Sequence, residues 1–473
     1  MFTKNKLLLK WIFIYLIYVF LFAILLFFVQ KPKEVIVDVD DGLYIDGFTD
    51  NDDKVALVES GEEGILTRLN LIYNAKETID ISYYTLTGGD SVKLFLAGIN
   101  DAADRGVKVR IVLDGIFHNL KSDLKPVIYA FEAHPNIELK FYEPFNLLTP
   151  RTWYNRLHDK MILVDQKLAL IGGRNIGDKY FSKKLTQDKF SKDRDILVYS
   201  KNLNTTSSLL KMQAYYDEVF NYQYSKPKYN KLSSRQNRKA LAMTKNLNTV
   251  FLKYKESYGE KLAFINWNEK TMATDGVQFI YNPIARGNQD PWVLRQLLKL
   301  SVQAQESVLI QSPYVILSKD MMTKFGLYDF DFTKMKILTN SMASSPNPVA
   351  MAGYYNNKQT IIDSGIDVWE YQGPDSIHSK TYIFDNKISA IGSFNFDARS
   401  SYINSEIMVL VESEKFAHNL LKEVEKDLAN SLKVKADFTY EKNAKVKAQP
   451  VTKLKKLLIW FTAKIVYFID FLL

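Results

Sequence analysis

A pattern of five residues occurs twice in this chain of 473 amino acids, and its residue types suit chemistry on a phosphodiester. In each copy, lysine follows histidine by two positions, aspartate by seven, glycine by fourteen and asparagine by seventeen. The first copy is His158, Lys160, Asp165, Gly172 and Asn175, and the second is His378, Lys380, Asp385, Gly392 and Asn395. The chain has only five histidines, so the repetition indicates an internal duplication and a site built from both copies.

These residue types meet the needs of phosphodiester transfer. That reaction requires a nucleophile, positive charge on the non-bridging oxygens and an acid for the leaving alkoxide. Histidine can be nucleophile or acid, so one histidine from each copy supplies both roles. Lys160 and Lys380 supply positive charge, and we therefore expect neither a metal ion nor another cofactor. Asn175, Asn395 and Ser393 are expected to bind the phosphate oxygens.

The aspartates of the two copies, Asp165 and Asp385, belong to the candidate catalytic set but have a second interpretation. In both copies, histidine and lysine lead into an apolar strand, Met161–Val164 or Thr381–Phe384, and alternation puts both side chains on one face. The aspartate follows where the strand ends in a turn. We expect the two carboxylates to hold these turns and not to contact substrate.

The elements around each motif follow a similar order in the two halves of the chain. In the first half we predict helices at Gly64–Ala75 and Val92–Asp104 and strands at Ile79–Leu86, Val107–Leu113 and Ile137–Tyr142. In the second half we predict helices at Pro291–Gln305 and Pro348–Ile362 and strands at Ser307–Leu317, Lys336–Thr339 and Ile366–Tyr371. The predicted fold is α/β, with two similar lobes that are each a mixed β-sheet flanked by helices. One motif from each lobe is expected at the seam between them.

Composition limits the class of protein. A hydrophobic content of 47% and a charged content of 24% are typical of a globular protein with a large core. The absence of cysteine excludes disulfides and thiolate metal sites. The net charge of +9 suits an anionic partner, either nucleic acid or an acidic lipid surface.

The N-terminal segment predicts a membrane anchor. Residues 11–30 are uncharged throughout, and a helix of this length spans roughly the 30 Å of a bilayer core. The stretch ends in Phe-Phe-Val-Gln, a poor cleavage site, which favours a retained anchor over a cleaved signal peptide or a buried helix. Three lysines precede the span and two follow it, which slightly favours a single-pass cell-membrane protein with an extracytoplasmic catalytic body.

Two other segments leave alternatives open. Leu457–Leu473 is apolar but contains Lys464 and Asp470, so it is predicted as a helix at the membrane interface, with a helix packed on the protein's own core as the alternative. Lysines and arginines crowd residues 222–246, which predicts a solvated linker or insertion, with a membrane-surface patch as the alternative.

The predicted organisation has six parts. They are a membrane anchor at 1–33, a linker at 34–54, a first lobe at 55–221, a basic linker or insertion at 222–260, a second lobe at 261–435, and a tail with an interfacial helix at 436–473.

The doubled motif resembles that of the phospholipase D superfamily, with both copies intact. The surrounding residues are similar to the bacterial cardiolipin synthase branch, and most of all to its C-type members, over about residues 55–430. The segments that carry this likeness are Gly172–Phe181, Gln311–Tyr314, Ile337–Ser341 and Gly392–Ser400, followed by Asn404 and Glu406. The chain departs from many members of that branch in having one clear N-terminal span instead of two.

The resemblance implies a membrane-bound phosphatidyltransferase that works through a covalent phosphohistidine, with phosphatidylglycerol as the expected substrate. It implies that His158 is the nucleophile, although the residues themselves do not rank the two histidines. It also implies that Glu406 is a carboxylate that contacts and orients the histidine of its own copy, His378. Asp195 is the expected counterpart in the first copy.

Other functions are consistent with part of the sequence. A hydrolytic phospholipase D would use the same residues with water as the acceptor. A nuclease of the same superfamily fits the positive charge but not the apolar ends of the chain, so no nucleic acid partner is expected. A non-catalytic membrane scaffold is disfavoured because every motif residue is present in both copies. The sequence does not predict an oligomeric state.

Overall fold

The computed structural model describes residues 2–29, 51–201, 204–318, 321–323 and 330–473. Within these residues, each half of the chain builds one large mixed β-sheet. In spatial order, the strands of the first sheet are Ser225–Lys226, Ile137–Tyr142, Lys108–Asp114, Thr78–Tyr83, Lys160–Val164, Leu168–Gly172, Asp195–Tyr199, Lys54–Val58 and Met272–Ala273. Those of the second are Gly276–Tyr281, Ile407–Glu412, Ile388–Gly392, Thr381–Phe384, Val308–Gln311, Met335–Asn340, Asp367–Tyr371 and Ser431–Lys433.

The strand that follows each histidine lies near the middle of its sheet. Lys160–Val164 pairs antiparallel with Thr78–Tyr83 on one side and with Leu168–Gly172 on the other. Thr381–Phe384 has the corresponding two antiparallel neighbours, Val308–Gln311 and Ile388–Gly392. The two motifs therefore occupy equivalent positions, and the predicted pair of similar α/β lobes is confirmed.

Helices cover the sheets. The longer helices of the body that the structure describes are Gly61–Asn74, Asp90–Asp104, Lys125–Ala133, Ser208–Asn221, Ser234–Tyr258, Trp292–Gln303, Pro348–Asp363, Glu414–Leu428 and Lys453–Val466. Polar caps fix several starts. The Ser60 hydroxyl, for example, accepts a hydrogen bond from the Glu63 N–H at 3.1 Å.

The lobes are joined by a shared hydrophobic cluster. It brings together Met161, Ile171 and Met212 from the first half and Ile383, Ile391 and Leu420 from the second, all of them buried. The two lobes therefore pack directly against each other through a common apolar core.

Two predicted strands are interrupted at equivalent places. Ser307–Leu317 forms the separate strands Val308–Gln311 and Val315–Ile316. Pro313 lies between them and lacks the N–H that a ladder needs. Ile79–Leu86 likewise ends at Tyr83 and resumes as Leu86–Thr87.

The basic stretch, predicted as a solvated linker or insertion, leads into a long helix. Residues Ser234–Tyr258 form a 25-residue helix that begins with a capping box at Ser233 and Gln236. Ala240, Leu247 and Phe251 on this helix are buried, and Leu247 and Phe251 belong to the hydrophobic core of the first lobe. The charges lie on its outer face, which is why the composition concealed an amphipathic helix.

The border between the two lobes also lies at a different residue from the one predicted. Met272–Ala273, assigned from the sequence to the second lobe, pairs with Lys54 and Val55 at the edge of the first sheet. The second sheet begins at Gly276. The linker predicted at 34–54 lies mostly outside the described residues.

The apolar N-terminal segment is helical from Phe2 to Val29, with a π-helical stretch at Phe20–Leu25. Asn5–Leu25 has a mean hydropathy of 2.4 and is almost entirely exposed, as expected of a membrane-spanning helix. This helix fits the predicted membrane anchor.

Candidate active site

The two motif histidines line one cavity of about 430 Å³ at the seam between the lobes. Asn175 and Asn395 also line it, so each lobe contributes a histidine and an asparagine. The duplication therefore produces a single composite site, as the sequence predicts.

Each histidine is held in place by the opposite lobe. The backbone N–H of His158 donates to the Ser405 hydroxyl at 3.1 Å, and that of His378 donates to the Lys192 carbonyl at 2.7 Å. Beside His378, the strand Ser376–Ile377 pairs with Ser191–Lys192 across the seam. These exchanges explain why neither lobe alone would form the site.

The carboxylates that contact the histidines also cross the seam. His158 Nδ1 lies 2.9 Å from Glu406 Oε1, and His378 Nδ1 lies 2.5 Å from Asp193 Oδ2. The prediction that Glu406 contacts the histidine of its own copy is therefore wrong. The structure instead pairs each histidine with the carboxylate of the other copy.

The assignment of Asp195 as a histidine partner is also wrong, and strand register explains why. Asp195 pairs with Gly172, whereas Met408 pairs with the equivalent Gly392. The position two residues earlier is therefore Asp193 in the first lobe and Glu406 in the second. The loop before this position is longer in the first lobe, so linear spacing could not separate Asp193 from Asp195.

Asp195 instead neutralises two buried arginines. Its carboxylate accepts hydrogen bonds from Arg68 at 2.8 and 2.9 Å and from Arg174 at 3.0 Å. All three side chains are at most 1% exposed. This cluster is structural, because a buried charge requires a partner.

The motif lysines are buried beside the histidines. The Nζ atoms of Lys160 and Lys380 each donate to the carbonyl of the histidine two residues earlier, at 2.5 Å. Burial lowers the pKa of Lys160 to about 7, with a further lowering from the charge of Lys380. Burial also lowers the pKa of Lys380, to about 8. A bound anion would stabilise the charged form of both.

Burial and neighbouring positive charge lower the pKa of both imidazoles. Burial and then the Lys160 charge hold the pKa of His158 well below its ordinary value. Burial and then Lys380 lower the pKa of His378 to about 3. A neutral imidazole has the free lone pair that a nucleophile requires.

The pKa values of the two carboxylates shift in opposite directions. Burial raises the pKa of Glu406 to about 7. Burial alone would also raise the pKa of Asp193, but His378 and Lys380 outweigh it and hold that pKa below its ordinary range. Asp193 is therefore the carboxylate better able to support a positive imidazolium.

The predicted phosphate ligands divide into two groups. The side-chain oxygens of Asn175 and Asn395 are buried and have no hydrogen-bond partner within the described residues. A half-turn of either amide would present its NH₂ group there, which is the donor that a phosphate oxygen needs. Ser393 does not line the cavity; its hydroxyl donates to Glu406 Oε2 at 2.5 Å. The structure thus gives Ser393 a role in holding Glu406 and not in contacting phosphate.

The motif aspartates hold turns. Asp165 accepts from the backbone N–H groups of Lys76, Glu77 and Thr78 at 2.8–2.9 Å. Asp385 accepts from the three equivalent groups at Gln305, Glu306 and Ser307, all at 2.8 Å. The φ angles of Asp165 and Asp385 are 50° and 49°, a left-handed conformation that aspartate tolerates. Neither aspartate contacts a motif histidine.

We expect Asp385→Ala to lower the free energy of unfolding by about 2–4 kcal/mol, because three hydrogen bonds to a charged acceptor are lost. Thermal unfolding measures this change. Asp385→Asn keeps one acceptor oxygen and should lose less. If Asp385→Ala abolished turnover in a fully folded sample, the structural role would be wrong.

Three residues around the histidines were not among the predicted site residues. The rings of Tyr84 and Tyr180 meet His158 and His378 edge-on, with centroids 5.0 and 5.3 Å apart. Asp159, between His158 and Lys160, accepts hydrogen bonds from Ser82, Tyr215 and Ser405. Only the position of Asp159 inside the motif could have drawn attention to it.

The comparisons with known proteins agree on one family. The family model described as "Cardiolipin synthase, PLD-like domain" matches residues 69–209 and 297–428, more than half of the chain. Cardiolipin synthase C of Escherichia coli is 26% identical over 403 residues, which cover 76% of this chain and 81% of that protein. An uncharacterized protein of Helicobacter pylori is 28% identical over 417 residues, which cover 79% of this chain and 80% of that protein.

A solved structure shows the same fold. Phosphatidylserine synthase of Haemophilus influenzae superimposes with a TM-score of 0.61 at 17% identity, covering 89% of this chain and 95% of that one. The matched segments contain both motifs and the strands that pair around them. The chain therefore belongs to the cardiolipin synthase family of phospholipase D-like enzymes.

Proposed function

We propose that this protein is a membrane-anchored phosphatidyltransferase that transfers a phosphatidyl group to a lipid alcohol through a phosphohistidine. One observation carries the proposal: His158 and His378 share a cavity, and each has its Nδ1 against a carboxylate of the opposite lobe. With Nδ1 engaged, Nε2 is the nitrogen left for chemistry, and the carboxylate fixes the tautomer.

In the first step, we assign the attack to Nε2 of His158. A phosphorus–nitrogen bond forms and the bond to the leaving alcohol breaks. His378, which enters the step as an imidazolium once the phosphodiester anion is bound beside it, donates the proton on its Nε2 to the departing oxygen. Lys160 and Lys380 stabilise the charge on the non-bridging oxygens. The ionised Asp193 supports a protonated His378, which favours His378 as the acid and His158 as the nucleophile.

In the second step, His378 removes a proton from the acceptor hydroxyl. The acceptor oxygen attacks phosphorus and the phosphorus–nitrogen bond breaks, which restores His158. Each histidine thus returns to its starting state. The opposite pKa shifts of Asp193, which contacts His378, and Glu406, which contacts His158, support this division of roles.

The proposed substrate is phosphatidylglycerol, as donor and as acceptor, with cardiolipin and glycerol as products. Membership of the cardiolipin synthase family and the relative named cardiolipin synthase C support this choice. The full chain in vesicles of phosphatidylglycerol should form cardiolipin, identified by mass. His158→Ala provides the inactive control, and a failure to form any new phospholipid would overturn the proposal.

Hydrolysis is the second candidate, because water could accept the phosphatidyl group at the same residues. The products distinguish the two reactions, since hydrolysis releases phosphatidic acid without cardiolipin.

We further propose that the anchor crosses the cell membrane once with the catalytic body outside the cytoplasm, because three lysines precede the span and two follow it. Protease digestion of intact spheroplasts should cut the catalytic body if this orientation is correct.

The lysine pKa values predict an alkaline limit to activity. A pKa lowered to about 7 for Lys160 and about 8 for Lys380 means that both lysines are charged below these values and neutral above them. Because kcat/KM reports the free enzyme, it should fall as the pH rises through 7 and 8. A pH profile of kcat/KM checks this expectation.

Lys160→Arg provides the matched control for that profile. Arginine keeps its charge at every accessible pH, so the variant should lose part of the alkaline fall even if its maximal rate is lower. A wild-type kcat/KM that stays constant up to about pH 10, where an ordinary lysine titrates, would contradict the role of the lysine charges.

A further inference from the structure

An exposed apolar loop lies beside the membrane anchor. Phe145, Leu147 and Leu148 are 53%, 56% and 77% exposed. The hydroxyls of Tyr15 and Tyr18 in the anchor helix donate to the carbonyls of Leu147 and Leu148 at 3.0 and 2.7 Å. The loop therefore lies directly against a helix whose length and hydropathy suit a lipid bilayer.

The helix Lys453–Val466 has apolar residues on two sides. Ile459, Ala463 and Val466 are buried in the second lobe's core, so the predicted alternative of a helix packed on the protein is confirmed for this side. Trp460 and Phe461, on the other side, are 53% and 59% exposed. A soluble surface does not usually carry large apolar side chains in this density.

The end of this segment reaches the catalytic cavity. Leu473 lines the cavity together with Arg399. The backbone N–H of Arg399 donates to the Leu473 carbonyl at 2.7 Å, and its guanidinium donates to the carbonyls of Leu472 and Tyr154, each at 3.2 Å. Arg399 therefore connects Tyr154, which follows the apolar loop in sequence, to Leu472 and Leu473, which follow the helix Lys453–Val466. This connection lies at the wall of the catalytic cavity.

The cavity mouth lies on the same side. Phe117 and Val349 line the cavity and are 43% and 40% exposed, so they mark its rim. The anchor helix contacts both the Pro150–Thr152 turn and the Asp470–Leu472 turn, and so connects the two apolar segments. On the rim, Val349 lies in the first turn of the helix Pro348–Asp363, which packs against Lys453–Val466. We name the anchor, the loop, the helix Lys453–Val466 and this rim together the apolar face.

We propose that the apolar face docks into a phospholipid bilayer, with the cavity mouth directed at the lipid. Continuity with the anchor argues for a bilayer as the occupant. Lys453, Lys456 and Lys464 on the apolar helix complement anionic headgroups. A phosphodiester could then enter the cavity while its acyl chains remain in the membrane, a consequence that rests on the proposed function.

The absence of cysteine allows a direct test in the full chain. The single variants Leu148→Cys and Phe461→Cys are labelled with an environment-sensitive fluorophore, and each protein is reconstituted into vesicles of phosphatidylglycerol and phosphatidylcholine. Leu241, on the helix Ser234–Tyr258 and 68% exposed, provides the matched control. Nitroxide-bearing lipids should quench the labels at 148 and 461 severalfold more than the label at 241.

Equal quenching at all three positions would overturn the docking. Quenching that is weak at 148 and 461 but accompanied by label–label contact between molecules would assign the face to a second copy of this chain and also overturn it. This readout needs no turnover, so it can fail or succeed independently of the proposed function.

The orientation of the cavity mouth toward the bilayer is tested by comparing turnover of a vesicle substrate with turnover of a dissolved one. The double variant Leu148→Asp with Phe461→Asp should lower turnover of vesicle phosphatidylglycerol by about tenfold or more, because docking is weakened. It should leave turnover of a monodisperse short-chain phosphatidylglycerol unchanged, as should Leu241→Asp with either substrate. An equal loss on both substrates would show that the mouth does not depend on the bilayer.

Discussion

Alanine at either His158 or His378 is expected to lower phosphatidyl transfer by about 10⁴-fold or more, because the two residues act as one unit. Without His158 there is no nitrogen to form the intermediate. Without His378 the alkoxide leaves unprotonated and the acceptor keeps its proton. Initial rates of cardiolipin formation from vesicles measure both losses.

Two controls separate chemistry from folding. His418 is exposed and lies outside the cavity, so His418→Ala should keep the wild-type rate. Both catalytic variants should still unfold cooperatively, because each removes one side chain at a cavity and leaves the packed core between the lobes in place. Near-normal turnover in either catalytic variant would show that the two lobes do not share one site.

The second large effect distinguishes two aspartates that lie two residues apart. Asp193→Asn is expected to lower turnover by about 10²–10⁴-fold, because the amide no longer supports a protonated His378. The fold should remain, since asparagine has nearly the same shape. Asp195→Asn should instead lower the free energy of unfolding by about 3–5 kcal/mol, because it leaves the buried Arg68 and Arg174 without a full counter-charge.

Turnover and thermal unfolding are measured for both variants, and each variant should change mainly one of these two quantities. Asp193→Asn should change the rate and hardly the stability, and Asp195→Asn should change the stability first. The assignment by strand register would be contradicted if Asp195→Asn lost activity in a stable protein while Asp193→Asn remained active.

The parts of the fold that the sequence predicted are those fixed by local pattern and duplication. Ile137–Tyr142 was predicted as a strand with the bounds that the structure has, because apolar residues and turns define it. The repeated motif predicted two equivalent lobes, and the family match confirms the resemblance that it carried. The turn-holding contacts of Asp165 and Asp385 followed from their place at strand ends.

The parts that the sequence did not predict depend on how distant segments meet. Nothing in the linear order of Glu406 and His158, or of Asp193 and His378, shows that each pair forms across the seam. The choice between Asp193 and Asp195 depends on register, which a loop of different length conceals. In the helix Ser234–Tyr258, the buried positions are few and charge dominates the composition. Burial is decided there by the surface of the first lobe and not by the helix itself.

The division of labour between the histidines is tested most directly by a donor whose leaving group needs no acid. A phosphatidyl ester of p-nitrophenol loses nitrophenolate without protonation. His378→Ala should therefore release a burst of one nitrophenolate per enzyme and retain a phosphatidyl group on His158, found by mass of the intact protein and its peptides. His158→Ala should give no burst and no adduct. A burst from His158→Ala with none from His378→Ala, or steady release by both variants, would contradict the account.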